Sequence, residues 1–164
     1  MVPVPALPPY GPIDAVAAQC IVQASARYEV PELLLHAIIR KEGGKMGKYS
    51  RNKNGTYDFG LAQINTSWLQ QFSKYGITPS HLLNDTCVNI SASAYVLRFN
   101  WLRQKDWFRA IVAYNIGNNR WTPKRYAIGY KYATDVVYYW HGFHDYVVKK
   151  AQYDAAVAAN AVNK

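Results

Sequence analysis

At 164 residues, half of them hydrophobic, the chain has the length of one domain with a single buried core. Its formal net charge of +9 attracts polyanions over long range, yet no zinc-finger spacing, RNP-type segment or dense Lys/Arg run marks a nucleic-acid reader. No apolar run reaches the ~18 residues that a transmembrane helix requires.

Residues 1–12 carry Pro3, Pro5, Pro8, Pro9 and Pro12 and read as an extended tail. Asp14 can open a helix to about Tyr28, with Val16, Cys20, Ile21 and Ala24 on its inner face. Pro31 suits the first position of a second helix, and Glu32 complements its dipole. Leu34, Leu35, Ile38 and Ile39 form one apolar face there, and Glu42 falls on the same face. Gly43 and Gly44 then stop the helix. A carboxyl group at the end of a buried stripe is poorly solvated, and the helix C-terminus adds negative potential. Both effects favour the neutral acid, which near pH 7 can serve as a general acid. The alternative is that Glu42 simply ends the helix and points into water.

Residues 43–57 read as a polar loop with a short hairpin at Asn54-Gly55. Gly60 supplies a backbone shape or a close approach that a side chain would prevent. Gln63 and Asn65 either hydrogen-bond a ligand or brace a cleft wall, whereas Ile64 belongs to the core. Thr66 or Ser67 caps a helix containing Trp68, Leu69 and Phe72. Residues 76–79 read as a connector. Asn84 or Asp85 caps the most regular helix, to about Gln104, with Ile90, Ala94, Leu97 and Trp101 as its stripe. Asp106 caps a helix from Trp107 to about Ile116, where Ala110, Ile111 and Tyr114 share a face. Residues 118–130 read as irregular and basic, with Arg120, Lys124 and Arg125 at the rim of a cleft. A final helix spans about Lys131–Lys150, with Tyr132, Val136, Tyr139 and Phe143 along one face, and the Ala-rich tail 151–164 extends it or frays. The domain proper is thus 13–150, between two tails.

His141 and His144 lie three apart on one helix, but no carboxylate or cysteine completes a metal site, so no metal or cofactor is expected. Cys20 and Cys87 are either one disulfide of an oxidising compartment or two buried thiols. The 14 tyrosines fill core edges for the most part, and some suit a carbohydrate cleft, where rings stack on sugars and hydroxyls stay wet.

Several motifs in order carry a family resemblance. Glu42 is followed by the run Asp58-Phe59-Gly60-Leu61-Ala62-Gln63-Ile64-Asn65 and then by Ala113-Tyr114-Asn115. Asn52, Asn54 and Gly55 form an Asn-x-Asn-Gly turn, and Leu82, Cys87 and Asn89 form a Leu-x-x-x-x-Cys-x-Asn segment. From about Ile13 to about Trp140 the chain resembles the family 1 lytic transglycosylases, and within them the small group associated with secretion, conjugation and pilus assembly. Two positions depart from the pattern: Gly43 stands where Ser usually follows the catalytic acid, and Ala62 where Met is common.

The resemblance implies a mainly α, lysozyme-like fold of the goose-type and SLT kind, with a small β-ribbon within 45–65. It implies a cleft between the Glu42 helix, Gly60–Asn65 and the Tyr114 helix, and a Cys20–Cys87 disulfide. It also implies that Glu42 is the catalytic acid, that the Tyr114 hydroxyl lies near it, and that Gln63, Asn65, Asn115 and Tyr132 contact substrate. The substrate is then peptidoglycan, whose stem carboxylates suit a basic protein, and the partners belong to a secretion, conjugation or pilus machine. The setting is periplasmic or wall-facing, which for this chain implies a mature form with its signal removed and Met1 added for expression. A glycosidase ordinarily uses two carboxylates, and Asp58 is either that second acid or a brace of the loop. The one-acid route closes a 1,6-anhydro ring without water. A hydrolytic muramidase using Asp58 and a non-catalytic wall-binding module are the alternatives.

Overall fold

The computed structural model describes residues 15–162. The Pro-rich segment and the Asp14 cap lie outside them. Helix α1 spans Ala15–Tyr28 and α2 spans Glu32–Glu42. Three short strands follow, β1 Tyr49–Arg51, β2 Tyr57–Phe59 and β3 Ile64–Asn65. A 3-10 turn at Thr66–Trp68 leads into α3, Leu69–Ser73. Then come α4 Pro79–Asn84, α5 Thr86–Gln104, α6 Trp107–Ile116 and α7 Pro123–Val162. The fold is mainly α with a small antiparallel sheet of order β1-β2-β3, as the resemblance implies.

Helix α5 is the axis of the core. Ile90, Ala94 and Leu97 are fully buried along one face. Asn89, Ser93 and Asn100 are equally buried on a second, polar face. Helices α1 and α6 pack on α5, and α7 packs on α6 and α2. The Cys20–Cys87 disulfide, with Cα atoms 5.0 Å apart, ties α1 to the first turn of α5. These contacts fix the end of α2, where Glu42 sits, against α7.

Local chemistry explains where the elements begin and end. Asp85 caps α5 by accepting from the Val88 N–H, and Asp106 caps α6 by accepting from the Arg109 N–H. Between β1 and β2, the Gly55 N–H donates to the Asn52 carbonyl with Gly55 at φ +83°, so the hairpin forms where Asn54-Gly55 places it.

Several boundaries differ from the sequence reading. Val16 is exposed, and Ala17 takes the inner position on α1. Pro31 lies one residue earlier than expected, at the N-cap of α2. Asn65, not Thr66 or Ser67, caps the turn after β3, because its side-chain oxygen reaches the Ser67 N–H at 3.0 Å. The connector at 76–79 opens α4, capped by the Thr78 side chain with Pro79 in the first turn. Trp101 is only half-buried, with the Arg98 guanidinium 4.7 Å from its ring centre. Helix α7 begins at Pro123 rather than near Lys131, since proline starts a helix well. It runs through the Ala-rich stretch to Val162, and no described residue beyond Phe143 is buried.

Candidate functional site

Glu42 is the last residue of α2. Gly43 adopts a left-handed conformation, φ +62°, and its N–H closes the helix on the Ile39 carbonyl. Gly44 then passes so close to the next segment that a Cβ there would lie 2.0 Å from the Gly60 carbonyl oxygen. Gly60 is equally constrained: its φ is +67° and a Cβ would lie 2.3 Å from Asn89 Nδ2. Asn89 is the reason for that approach. It donates to the Phe59 and Leu82 carbonyls at 2.8 and 2.7 Å and accepts from the Ala62 N–H at 2.9 Å. One buried amide thus shapes the backbone facing Glu42.

A cleft of about 940 Å³ opens between these elements. Glu42, Asp58, Asn65, Trp68, Tyr114 and Asn115 are among its lining residues. It lies between the α2 terminus, the 60–65 segment and α6, where the sequence reading puts it. Two cations line it, Lys53 and Arg103, instead of the expected Arg120, Lys124 and Arg125. Arg125 turns inward to the Ile116 carbonyl, which removes it from the rim.

Burial pushes the Glu42 carboxyl up to about 7, the Asp58 charge pushes the same way, and the Tyr132 hydrogen bond and Lys41 pull against it. The Tyr132 hydroxyl donates to Glu42 Oε1. Burial, with the Glu42 charge next, pushes the Tyr132 phenol well up, so it keeps its proton and remains a donor. Tyr132 does not line the cleft; it stands behind the acid, on α7. Lys41 pairs with Asp135 of α7 at 2.7 Å, a second link across the same helix pair.

The other candidates occupy distinct places. Tyr114 donates to the Ala62 carbonyl at 2.8 Å and pairs with Ser93 Oγ at 3.1 Å, so its hydroxyl braces the cleft floor and has no hydrogen bond to Glu42. Asn115 is exposed on the cleft wall. Both Asp58 oxygens accept amide protons, one from Asn65 at 2.7 Å and one from Asn52 at 2.9 Å. Gln63 accepts from Ser50 Oγ at 2.8 Å and donates to the Gly60 carbonyl at 2.9 Å. Asn65 adds a bond to Thr56 Oγ1 at 3.0 Å. The sheet is therefore stitched by side chains across all three strands. Among the described residues no three His, Cys, Asp or Glu converge as a metal site, and His141 and His144 are exposed.

The structural weight of Asn89 and Ser93 is not apparent from the motif alone. The signal is there in α5: Asn89, Ser93 and Asn100 recur at helical spacing beside the apolar stripe, which marks a second buried face.

Comparison with known proteins places the chain in a family. The model of the transglycosylase SLT domain matches residues 19–135. Invasion protein IagB of Salmonella typhi is 30% identical over 160 residues, which cover 93% of this chain and 92% of IagB. Protein IpgF of Shigella flexneri is 32% identical over 121 residues, 73% of this chain and 77% of IpgF. The X polypeptide of Escherichia coli is 32% identical over 127 residues, 76% of this chain and 75% of that protein.

Proposed function

The chain belongs to the SLT transglycosylase family, lytic transglycosylases that act on peptidoglycan, and from that premise we propose that it cleaves the N-acetylmuramic acid–N-acetylglucosamine bond without water, through Glu42 alone. The observation that carries this reading is the state of the cleft's two carboxyl groups. Burial pushes the Glu42 carboxyl up to about 7, and a single donor reaches one of its oxygens. Asp58 has both oxygens engaged by amides within the sheet.

Glu42 first gives its proton to the glycosidic oxygen as the C1–O bond breaks. The substrate's own acetamido oxygen stabilises the positive centre at C1. Glu42, now a carboxylate, takes the proton of the C6 hydroxyl as that oxygen bonds to C1, which closes the 1,6-anhydro ring. The Tyr132 hydroxyl holds the carboxylate in place through both proton transfers. Asn115 and the edge of the sheet at Gln63 and Asn65 offer polar atoms to the sugars, with Tyr114 supporting the floor beneath them.

Mass spectrometry of products from purified peptidoglycan tests the route. Anhydromuropeptides are expected. Products heavier by one water would instead mean hydrolysis, and would assign Asp58 the task of positioning water.

The pH profile offers a separate check. Activity should fall as pH rises through about 7, where the Glu42 proton is lost. The Tyr132 bond favours ionised Glu42, so Tyr132→Phe should move that alkaline limb upward. A limb that stays in place in this variant would assign it to another group.

Peptidoglycan lies outside the cytoplasm, and we place the enzyme in the periplasm. Its task there is to open the wall locally for a secretion, conjugation or pilus apparatus. The similarity to proteins named for invasion supports this placement, and so does the basic surface, which suits an acidic polymer.

A further inference from the structure

The wall of the cleft formed by α5 presents Val96, Phe99 and Arg103 along one helical face. The Arg103 guanidinium lies over the Phe99 ring, 5.1 Å from its centre. Trp68 meets the same ring edge-on at 5.2 Å. This end of the cleft is firmly built. Gln104, the next residue, donates to Asn118 Oδ1 at 3.0 Å, and Asn118 donates to the buried Asn100 Oδ1 at 2.6 Å. Asn118 and Asn119 line the cleft beside them.

Arg103 and Lys53 are the two cations that line the cleft, and neither forms an ion pair among the described residues. That is unusual company for a neutral sugar chain, which needs hydroxyl and amide partners rather than charge. A guanidinium held by an aromatic face, with its donors unspent on a protein acid, is suited to a carboxylate. In the proposed substrate the peptide stems carry such groups.

We infer that Arg103 is a specificity determinant that binds a stem carboxylate of the glycan strand, so that the cleft reads peptide charge as well as sugar. This rests on the glycan-cleaving reading above. It goes beyond it by naming the substituted, anionic strand as the form recognised.

The test is binding to purified sacculi by protein carrying Glu42→Gln, which separates affinity from turnover. One batch is untreated, and in another the carboxylates are converted to methylamides, keeping the sugars. Amidation should weaken binding about tenfold, the size of one lost charge-assisted contact. Adding Arg103→Gln should weaken binding to untreated sacculi by a similar factor, and amidation should then have little further effect. Lys149→Gln, on the exposed part of α7, serves as the charge control and should weaken binding far less than Arg103→Gln does. Far-UV circular dichroism confirms that each variant is folded. Undiminished discrimination after Arg103→Gln would overturn the inference, as would an equal loss from Lys149→Gln. Failure to bind either form of sacculus would overturn the glycan reading itself.

Discussion

Glu42→Gln should lower turnover of peptidoglycan about a thousandfold, the range for loss of a general acid and base, and should leave the fold intact. The same substitution should also make the protein more stable at alkaline pH. The carboxyl binds its proton more tightly in the folded chain, at about 7, than at the ordinary 4.5. Below 4.5 both states hold the proton, and Glu42 costs nothing on this account. As pH rises from 4.5 to 7 the unfolded state releases the proton first, and stability falls. Above 7 the cost is fully present. Glutamine carries no such charge and fits the same space, so the thermal midpoint of the variant should exceed that of the parent at pH 8 and match it at pH 4. Lower stability at both pH values would mean that Glu42 is a structural residue, and full activity would remove it from the mechanism.

Replacing both Cys20 and Cys87 by alanine should cost about 4 kcal/mol, from the entropy that a cross-link over 67 residues removes from the unfolded chain. For a chain of this size that corresponds to a loss of about 10 °C in thermal midpoint. Circular dichroism with and without reductant provides the comparison. Reductant should lower the midpoint of the parent and leave the double variant unmoved. The loss has a local component as well. Cys87 precedes by two residues the Asn89 that shapes the backbone from Phe59 to Ala62. Loosening the start of α5 therefore loosens the cleft floor, and activity of the double variant should fall at temperatures well below unfolding. An unchanged midpoint on reduction would mean that the bond adds nothing to the folded state.

Much of this arrangement is legible in the chain because local rules and tertiary packing agree there. The Gly43 stop, the Asp106 cap and the Asn54-Gly55 hairpin each follow from one residue's preference, and the structure keeps them. Gly60 is a stronger case, since close approach is readable from a glycine inside an apolar motif. Legibility fails where the deciding partner is distant in sequence. The sequence cannot say that Asn89 aims at the Phe59 carbonyl, 30 residues away. Nor can it say that the hydroxyl touching Glu42 comes from Tyr132, 90 residues away, rather than from Tyr114. The basic 118–130 stretch misleads for a different reason. Charge implies solvent, yet Arg125 spends its guanidinium on backbone carbonyls at the turn between α6 and α7.

Helix α7 contributes Tyr132 to the acid and then continues for thirty residues to Val162. At 1.5 Å per residue that is about 45 Å of unbroken helix, of which about 28 Å lies past Phe143, the last buried residue among those described. Mechanically it is a lever whose short arm ends at the Tyr132–Glu42 hydrogen bond. No proline interrupts it after Pro123, and Gly142 is the one glycine between Tyr132 and the far end. A sideways load near Val162 is therefore delivered to the body at Phe143, with Gly142 as the point of least bending stiffness. Stiffening that point would carry such a load further toward the Tyr132 hydroxyl, and softening it would absorb the load before it reached Glu42.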